Sequence, residues 1–227
     1  MSPRPGFLRS NSLSLVFLAI FLVALAGQAV AGQRLYNDEQ RTHGEKPISF
    51  PRYVTSSRFA VETTENWQSE FLQFTLYIIG TVWLIQRGSS ESKRPGEEGG
   101  GGDEEAMVGR FASEDSPRWA RLGGIRTAIY SNSLVLAFGT IFLASWTAQS
   151  VSGWRDFSND QMSHHEPPVS WWQYVRGPDF WDRSLQNWQS EFLAVGTMAI
   201  FAVYLRQRGS PESKPVGAPH DDTTSLD

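Results

Sequence analysis

The chain has 227 residues, with 40% hydrophobic side chains, 19% charged side chains, no cysteine and a formal net charge of −4. The lack of cysteine excludes disulfides, thiolate metal sites and cysteine nucleophiles. The acidic balance argues against nucleic-acid binding, which requires a basic face. The mean hydropathy of −0.33 hides an uneven distribution, because the apolar residues are concentrated in four blocks.

The four apolar blocks, together with their flanking residues, have the length of membrane-spanning helices. We predict spans at residues 8–32, 66–86, 128–153 and 187–206. The first block, which follows Arg4 and Arg9 and ends in an Ala-Val-Ala sequence, also fits a cleavable signal peptide. The third block repeats this pattern in mid-chain, where no signal peptide can lie. We therefore interpret the first block as an uncleaved helix.

An internal repeat organises the chain. A shift of 121 residues aligns residues 10–93 with 131–214 without a gap, and about 38 of 84 aligned residues are identical. The longest identical block, NWQSEFL at residues 66–72, recurs at 187–193. Each repeat holds an even number of spans, so both copies run through the membrane in the same direction as parallel repeats. The sequence thus predicts an all-α polytopic membrane protein, in which two parallel-repeat transmembrane helical hairpins form a four-helix bundle or an oligomer of such bundles.

The remaining segments complete the predicted organisation. The first repeat covers residues 1–87 with an outer loop at 33–65, and the second covers 125–214 with an outer loop at 154–186. Between them lies an acidic, glycine-rich linker at 88–124, and the chain ends with a tail at 215–227; we predict that both are disordered. Basic residues flank the spans mainly on one side, so the positive-inside rule places both termini and the linker in the cytoplasm.

Four polar residues fall inside the predicted spans at similar depths, and they form a candidate intramembrane cluster: Gln28, Glu70, Gln149 and Glu191. An ionisable residue within a span is a candidate for an ion or proton path. Two structural interpretations stand beside this one. The polar groups hold helices together, or each glutamate lies in the headgroup region and complements a helix N-terminus.

The outer loops contain weak candidates for a metal site, namely His43, Glu45, His164, His165 and Glu166. Imidazole and carboxylate groups bind zinc or copper, but this spacing is not diagnostic, and a solvated proline-rich loop explains the same residues. The loop segments 47–54 and 168–175 each place a serine before mixed aromatic and polar residues, which predicts a short helix in the outer interface. Tryptophans predicted to anchor the outer boundary are Trp67, Trp171, Trp172 and Trp188.

The sequence contains no phosphate-binding loop, nucleotide fingerprint or Ser/His/Asp arrangement. We therefore expect a protein that is not an enzyme, with no catalytic residue and no cofactor. The expected partner is the lipid bilayer, with no nucleic acid, and the duplicated hairpins are also compatible with a homo-oligomer.

The repeated motifs, NWQSEFL followed by Gln-Arg-Gly-Ser-x-Glu-Ser-Lys, resemble those of a family of small bacterial membrane proteins classed only as a domain of unknown function. The resemblance covers both repeats and implies a location in the bacterial inner membrane, but it implies no activity. We expect a structural or stress-related envelope component. The alternatives are a small ion or proton channel or transporter that uses the Gln/Glu cluster, and a periplasmic-face metal or ligand sensor.

Overall fold

The computed structural model describes residues 6–223, and within that range every regular element is a helix. A single turn of 3-10 helix occurs at Gly109–Phe111. The α-helices are α1 (Phe7–Ser10), α2 (Ser12–Thr42), α3 (Phe50–Val54), α4 (Ser57–Trp83), α5 (Arg118–Leu122), α6 (Gly124–Ser131), α7 (Ser133–Ser163), α8 (Trp171–Arg176) and α9 (Pro178–Tyr204).

The four long helices have matching bounds in the two repeats. Adding the 121-residue offset to the bounds of α2 gives those of α7, and adding it to the bounds of α4 gives those of α9. The short helices α3 and α8 follow the predicted serines, and Ser170 forms a full capping box with Gln173. The prediction of a short helix in each outer loop is therefore confirmed.

The long helices extend further at their outer ends than the predicted spans. Helices α2 and α7 continue to Thr42 and Ser163, about ten residues beyond the predicted ends at 32 and 153, because no proline interrupts the polar stretch that follows. Helices α4 and α9 begin at Ser57 and Pro178, nine residues before the predicted starts. A span prediction follows hydropathy, whereas a helix continues until its backbone is broken or capped.

The linker and the tail also contain local order. The 3-10 turn and α5 lie in the linker, and α6 begins at its last residue. Near the chain end, the Thr223 hydroxyl accepts a hydrogen bond from the Gly88 N–H at 2.8 Å. The tail therefore contacts the start of the linker.

Helix α4 lies at the centre of the packing. It runs antiparallel to α7 with close backbone approach, because Thr75 faces Gly139 and Val61 faces Gly153. It also packs beside α9, which runs in the same direction, whereas α2 contacts α4 through the rings of Phe21 and Trp67 at 6.2 Å. The helices α2 and α7 are each long and apolar enough to cross a membrane.

The helix surfaces are more apolar than the interfaces between the helices. Polar and small side chains dominate the buried positions of the α4–α7 interface, including Gln68, Ser69, Ser145, Gln149 and Ser152. Large apolar side chains cover the outside, and on α2 alone these include Leu13, Val16, Phe17, Leu18, Ile20, Leu22 and Val23. This distribution is the reverse of a water-soluble core, where large apolar side chains are buried.

Candidate functional site

Each outer loop inserts one tyrosine against a glycine of the preceding long helix. Tyr53 of α3 is completely buried and Tyr174 of α8 is 2% exposed. Their hydroxyl groups lie so close to Gly32 and Gly153 that a Cβ atom at either glycine would overlap them. The identical glycine in each repeat is thus explained by close packing, and the tyrosines fix the loops to the helix ends.

An outer charge cluster surrounds these tyrosines. We define it as Glu39, Arg58, Glu62, Glu65, Asp156, Asp179 and Arg183. The Arg58 guanidinium lies 2.6 Å from the Glu62 carboxylate and 3.7 Å from that of Asp156. The Arg183 guanidinium lies 3.2 Å from Asp179 and 3.3 Å from Glu65. Ion pairs thereby join α4 to both α7 and α9.

The ion pairs within α4 and within α9 occur at equivalent positions of the two repeats, with the acidic and basic residues exchanged. Arg58 and Glu62 of α4 correspond, at the 121-residue offset, to Asp179 and Arg183 of α9. Both pairs have the i, i+4 spacing that brings side chains together on one face of a helix. Each arginine also reaches an acidic residue of the other repeat. The two repeats are therefore electrostatically complementary where they meet.

The outer charge cluster contains two cations and five carboxylates, so it is acidic overall. Burial raises the pKa of Asp156 above its ordinary value, and the nearby Arg58 opposes this rise. Burial likewise raises the pKa of Glu65, which Arg183 opposes. The pKa of Tyr53 is raised by burial and by the negative charge of Glu62, to which its hydroxyl donates a hydrogen bond at 3.0 Å. Tyr53 is therefore a neutral hydrogen-bond donor at physiological pH.

Two buried glutamines lie just inside this cluster. The Gln68 amide oxygen accepts a hydrogen bond from the Trp188 indole N–H at 2.8 Å, which links α4 to α9. Gln149 of α7 is completely buried, and neither its amide nitrogen nor its amide oxygen has a hydrogen-bond partner in the described part of the chain. One glutamine thus forms a bond between the repeats, whereas the other only fills space in the α4–α7 interface.

The four residues of the predicted intramembrane cluster occupy different environments. Glu70 is exposed on α4, and half-buried Glu191 of α9 lies close enough to interact with Glu70 and with the Ser69 hydroxyl. Gln149 lies on the face of α7 that packs against α4, whereas Gln28 is half-buried on α2. The structure therefore brings the two glutamates together and places the two glutamines elsewhere.

A second group of polar residues lies at the inner ends of α4 and α9. The Gln-Arg-Gly-Ser segment forms the same turn after each helix, in which the backbone N–H groups of Gln86 and Gln207 each donate to a serine hydroxyl at 2.9 Å. Beside these turns, the Tyr77 hydroxyl donates to the Glu91 carboxylate at 2.8 Å. Glu91 in turn interacts with Glu212, its equivalent in the other repeat. A cavity of about 430 Å³ between the helices is lined by Tyr77 and Glu91 among mostly apolar residues.

The predicted metal candidates lie at the outer surface. The rings of His43 and His164 are 6.1 Å apart, and His43 and Glu45 line an outer cleft of about 690 Å³. His165 and Glu166 are exposed. Within residues 6–223, no group of three or more histidine, cysteine, aspartate or glutamate side chains is arranged to hold a metal ion.

The tryptophans predicted as anchors make specific contacts. Trp188 bonds to Gln68, and the Trp171 indole N–H donates to the Ser150 hydroxyl at 3.3 Å. Trp67 is 38% exposed and Trp172 is 60% exposed. Sequence reasoning missed Trp146, whose ring contacts Phe142, Phe180, Trp181 and Trp188 at centroid distances of 5.6–6.1 Å. The sequence did contain a signal for this cluster, since Trp146 occupies the position at which the first repeat has Leu25.

Residues 6–223 form an all-helical fold with two candidate membrane helices, in which the closest packing of long helices is between α4 and α7. The profile of the domain of unknown function DUF6766 matches residues 4–225, so the chain belongs to that family. No curated protein and no solved structure matches the chain.

Proposed function

We propose that this protein is a four-span, non-enzymatic component of the bacterial inner membrane with a structural role in the envelope. The observation that carries the proposal is the distribution of side chains, with large apolar groups outside and small polar groups between the helices. Lipid provides no hydrophobic drive for helices to associate, so helices in a bilayer pack through small and hydrogen-bonding residues and expose their apolar ones.

The dimensions of the helices support this placement. A helix of 31 residues such as α2 or α7 is about 46 Å long, which exceeds a hydrocarbon thickness of roughly 30 Å. If the apolar N-terminal parts of α2 and α7 lie in the bilayer, their polar C-terminal turns project beyond it. The outer charge cluster then lies in the aqueous region, where seven ionisable side chains avoid the cost of burial in hydrocarbon.

The orientation follows from the basic residues. Arg9, Arg87, Arg126 and Arg208 flank the inner ends of the four proposed spans, which favours a cytoplasmic location for both termini. With this orientation, α3 and α8 lie at the periplasmic surface and hold the outer loops through Tyr53 and Tyr174.

Alkaline extraction of membranes from cells that express the chain with an N-terminal epitope tests this placement. We expect the full-length, tagged protein to remain in the membrane pellet. Release into the supernatant would contradict an integral protein, and loss of the tag would contradict an uncleaved first span.

A second candidate function, conduction of protons or small cations, is favoured by one specific observation. Glu70, Gln73 and Tyr77 lie on one face of α4 at i, i+3 and i+7, and this polar stripe leads to Glu91 at the inner end. Glu191 lies beside the outer end of the stripe. Ionisable groups along one helix face within a membrane are candidates for a proton path.

Flux across liposomes distinguishes the two candidates. The wild type is compared with Glu70→Gln/Glu191→Gln, and with the matched exposed-surface control Glu97→Gln/Glu104→Gln. No flux above empty liposomes supports the structural role. Flux that disappears only in Glu70→Gln/Glu191→Gln would establish conduction and replace the structural proposal.

A further inference from the structure

The repeated NWQSEFL block is buried in one repeat and exposed in the other. In α4, Gln68 is 0% exposed, because it lies on the same face as Val61 and Thr75, which contact α7, and its amide bonds to Trp188 of α9. Ser69 is 2% exposed and lies beside Glu191 of α9. In α9, the identical residues Gln189 and Ser190 are exposed. Within residues 6–223, a helix face that is covered in the first repeat therefore has no covering helix in the second.

The helix that would correspond to α7 at this uncovered face is α2. The face of α7 that packs against α4 carries Ser145, Gln149 and Gly153, and the equivalent residues of α2 are Ala24, Gln28 and Gly32. On α2 these positions are exposed or only half-buried. The small and amide-bearing residues that allow close packing between α4 and α7 are thus present on α2 as well.

The outer ends of the two uncovered helices each carry one exposed charged residue, and the two charges are of opposite sign. In the α4–α7 interface, basic Arg58 of α4 meets acidic Asp156 of α7. The equivalents of these two residues are Asp179 of α9 and Leu35 of α2, so this ion pair itself is not repeated. One turn or less away, α9 carries exposed Asp182 and α2 carries exposed Arg34. Neither side chain is in an ion pair within residues 6–223.

We propose that α9 of one copy of this protein is covered by α2 of a second copy, in an interface that reproduces the α4–α7 packing within the chain. The contact joins different faces of the two copies. A closed pair forms when each copy covers the α9 of the other, and a ring forms when the rotation between successive copies closes. The proposal rests on the membrane placement argued above, because both helices must lie side by side in the bilayer.

The α4–α7 register specifies which residues meet. Within the chain, Thr75 faces Gly139 and Val61 faces Gly153. At the 121-residue offset, Gly196 of α9 therefore faces Leu18 of α2, and Asp182 faces Gly32. In each of these pairs the two residues belong to different copies, so the proposed contact can be tested at named positions.

The absence of cysteine makes disulfide cross-linking a clean test. Leu18→Cys and Gly196→Cys are introduced into two differently tagged copies, which are co-expressed and oxidised in native membranes. We expect a cross-linked product of twice the chain mass that carries both tags. The matched control uses Met198→Cys in place of Gly196→Cys. Residue 198 lies about 200° around the axis of α9 from residue 196, so the control should give at least about tenfold less cross-linked product.

The outcomes separate this proposal from the membrane placement. Thr75→Cys/Gly139→Cys in a single chain should cross-link internally, and failure there would overturn the packing of α4 against α7 on which both proposals rest. If that control succeeds but no two-tag product forms, the α2–α9 contact between copies is overturned. If one chain carrying both Leu18→Cys and Gly196→Cys cross-links only internally, α9 is covered by α2 of its own copy and the proposal also fails.

A second measurement needs no substitution in the interface. Single-molecule photobleaching of the fluorescently tagged wild type in native-membrane nanodiscs should show two or more steps. A single step throughout would overturn the proposal even if the cysteine variants failed to fold.

Discussion

The two repeats place helices of identical bounds in different surroundings. Gln68 of α4 is fully buried and bonds to Trp188, whereas Gln189, its equivalent in α9, is exposed. Helix α7 packs along α4, whereas α2 exposes most of its surface. Both repeats share the helix lengths, the glycine–tyrosine contacts and the inner turns. These shared features stabilise each repeat by itself.

The differences between the repeats decide how the hairpins pack together. The i, i+4 ion pairs have their acidic and basic residues in opposite order in α4 and α9. This order allows each arginine to reach a carboxylate of the other repeat. The aromatic cluster around Trp146 is a difference within one repeat, since it joins α7 to α9, and the residue equivalent to Trp146 in the first repeat is Leu25. Comparison of equivalent positions therefore separates the contacts within a hairpin from those between hairpins.

The largest expected difference concerns the two packed glycines. At Gly153 an added Cβ would overlap the Tyr174 hydroxyl and also press on Val61 of α4 at 3.2 Å, whereas at Gly32 the three nearest atoms all belong to Tyr53. We expect Gly153→Ala to destabilise the protein by about 3 kcal/mol and Gly32→Ala by about 1 kcal/mol. The unfolding midpoint in mixed micelles titrated with sodium dodecyl sulfate, followed by tryptophan fluorescence, measures both.

A rescue variant checks the cause of this difference. Adding Tyr174→Phe removes the hydroxyl and should restore part of the stability lost in Gly153→Ala. Equal losses at the two glycines would show that contact with α4 does not contribute.

A smaller effect is expected from the ion pairs between the repeats. Arg183→Gln leaves the carboxylates of Glu65 and Asp179 without their cation, and Glu65 is largely buried. Because the Arg183 side chain is about one-third exposed, we expect a loss of about 1–2 kcal/mol by the same unfolding measurement. The matched control is Arg155→Gln, at an exposed arginine that is in none of these ion pairs, and it should have almost no effect. Similar losses in both variants would argue that general charge, and not the contact between repeats, is responsible.

The smallest expected difference concerns the equivalent glutamines. Gln68→Leu removes the acceptor of the Trp188 indole N–H and should cost about 1 kcal/mol. Gln189→Leu removes an exposed side chain and should be close to neutral in the isolated, detergent-solubilised single chain. If both variants lose the same stability, Gln68 does not act through its bond to Trp188.

Much of the helical architecture follows from the sequence. The apolar blocks and the repeat predict the four long helices, and the serines before α3 and α8 predict the short loop helices. The polar extensions of α2 and α7 to Thr42 and Ser163 were harder to predict, because the apolar pattern ends near residues 32 and 153 whereas backbone hydrogen bonding continues.

The choice of neighbours between helices was not predictable from a single sequence. Helices α4 and α9 share the NWQSEFL block, so nothing in that block indicates that only α4 packs closely against α7. The outer charge cluster did leave a signal, since Arg58 and Glu62 as well as Asp179 and Arg183 have i, i+4 spacing. The pairing across repeats depends on the folded register, which brings Arg58 to Asp156, Arg183 to Glu65 and Trp188 to Gln68.

The central claim is that all four long helices cross the membrane, and the linker reports on it most directly. If only α2 and α7 crossed, the linker would lie on the outer side, whereas four spans place it in the cytoplasm. Glu104→Cys in the linker and Lys46→Cys in the outer loop are two exposed positions in a cysteine-free chain, and a membrane-impermeant maleimide can label each in intact spheroplasts. The account predicts labelling of Lys46→Cys at once and of Glu104→Cys only after permeabilisation. Labelling of Glu104→Cys in intact spheroplasts would contradict the four-span topology.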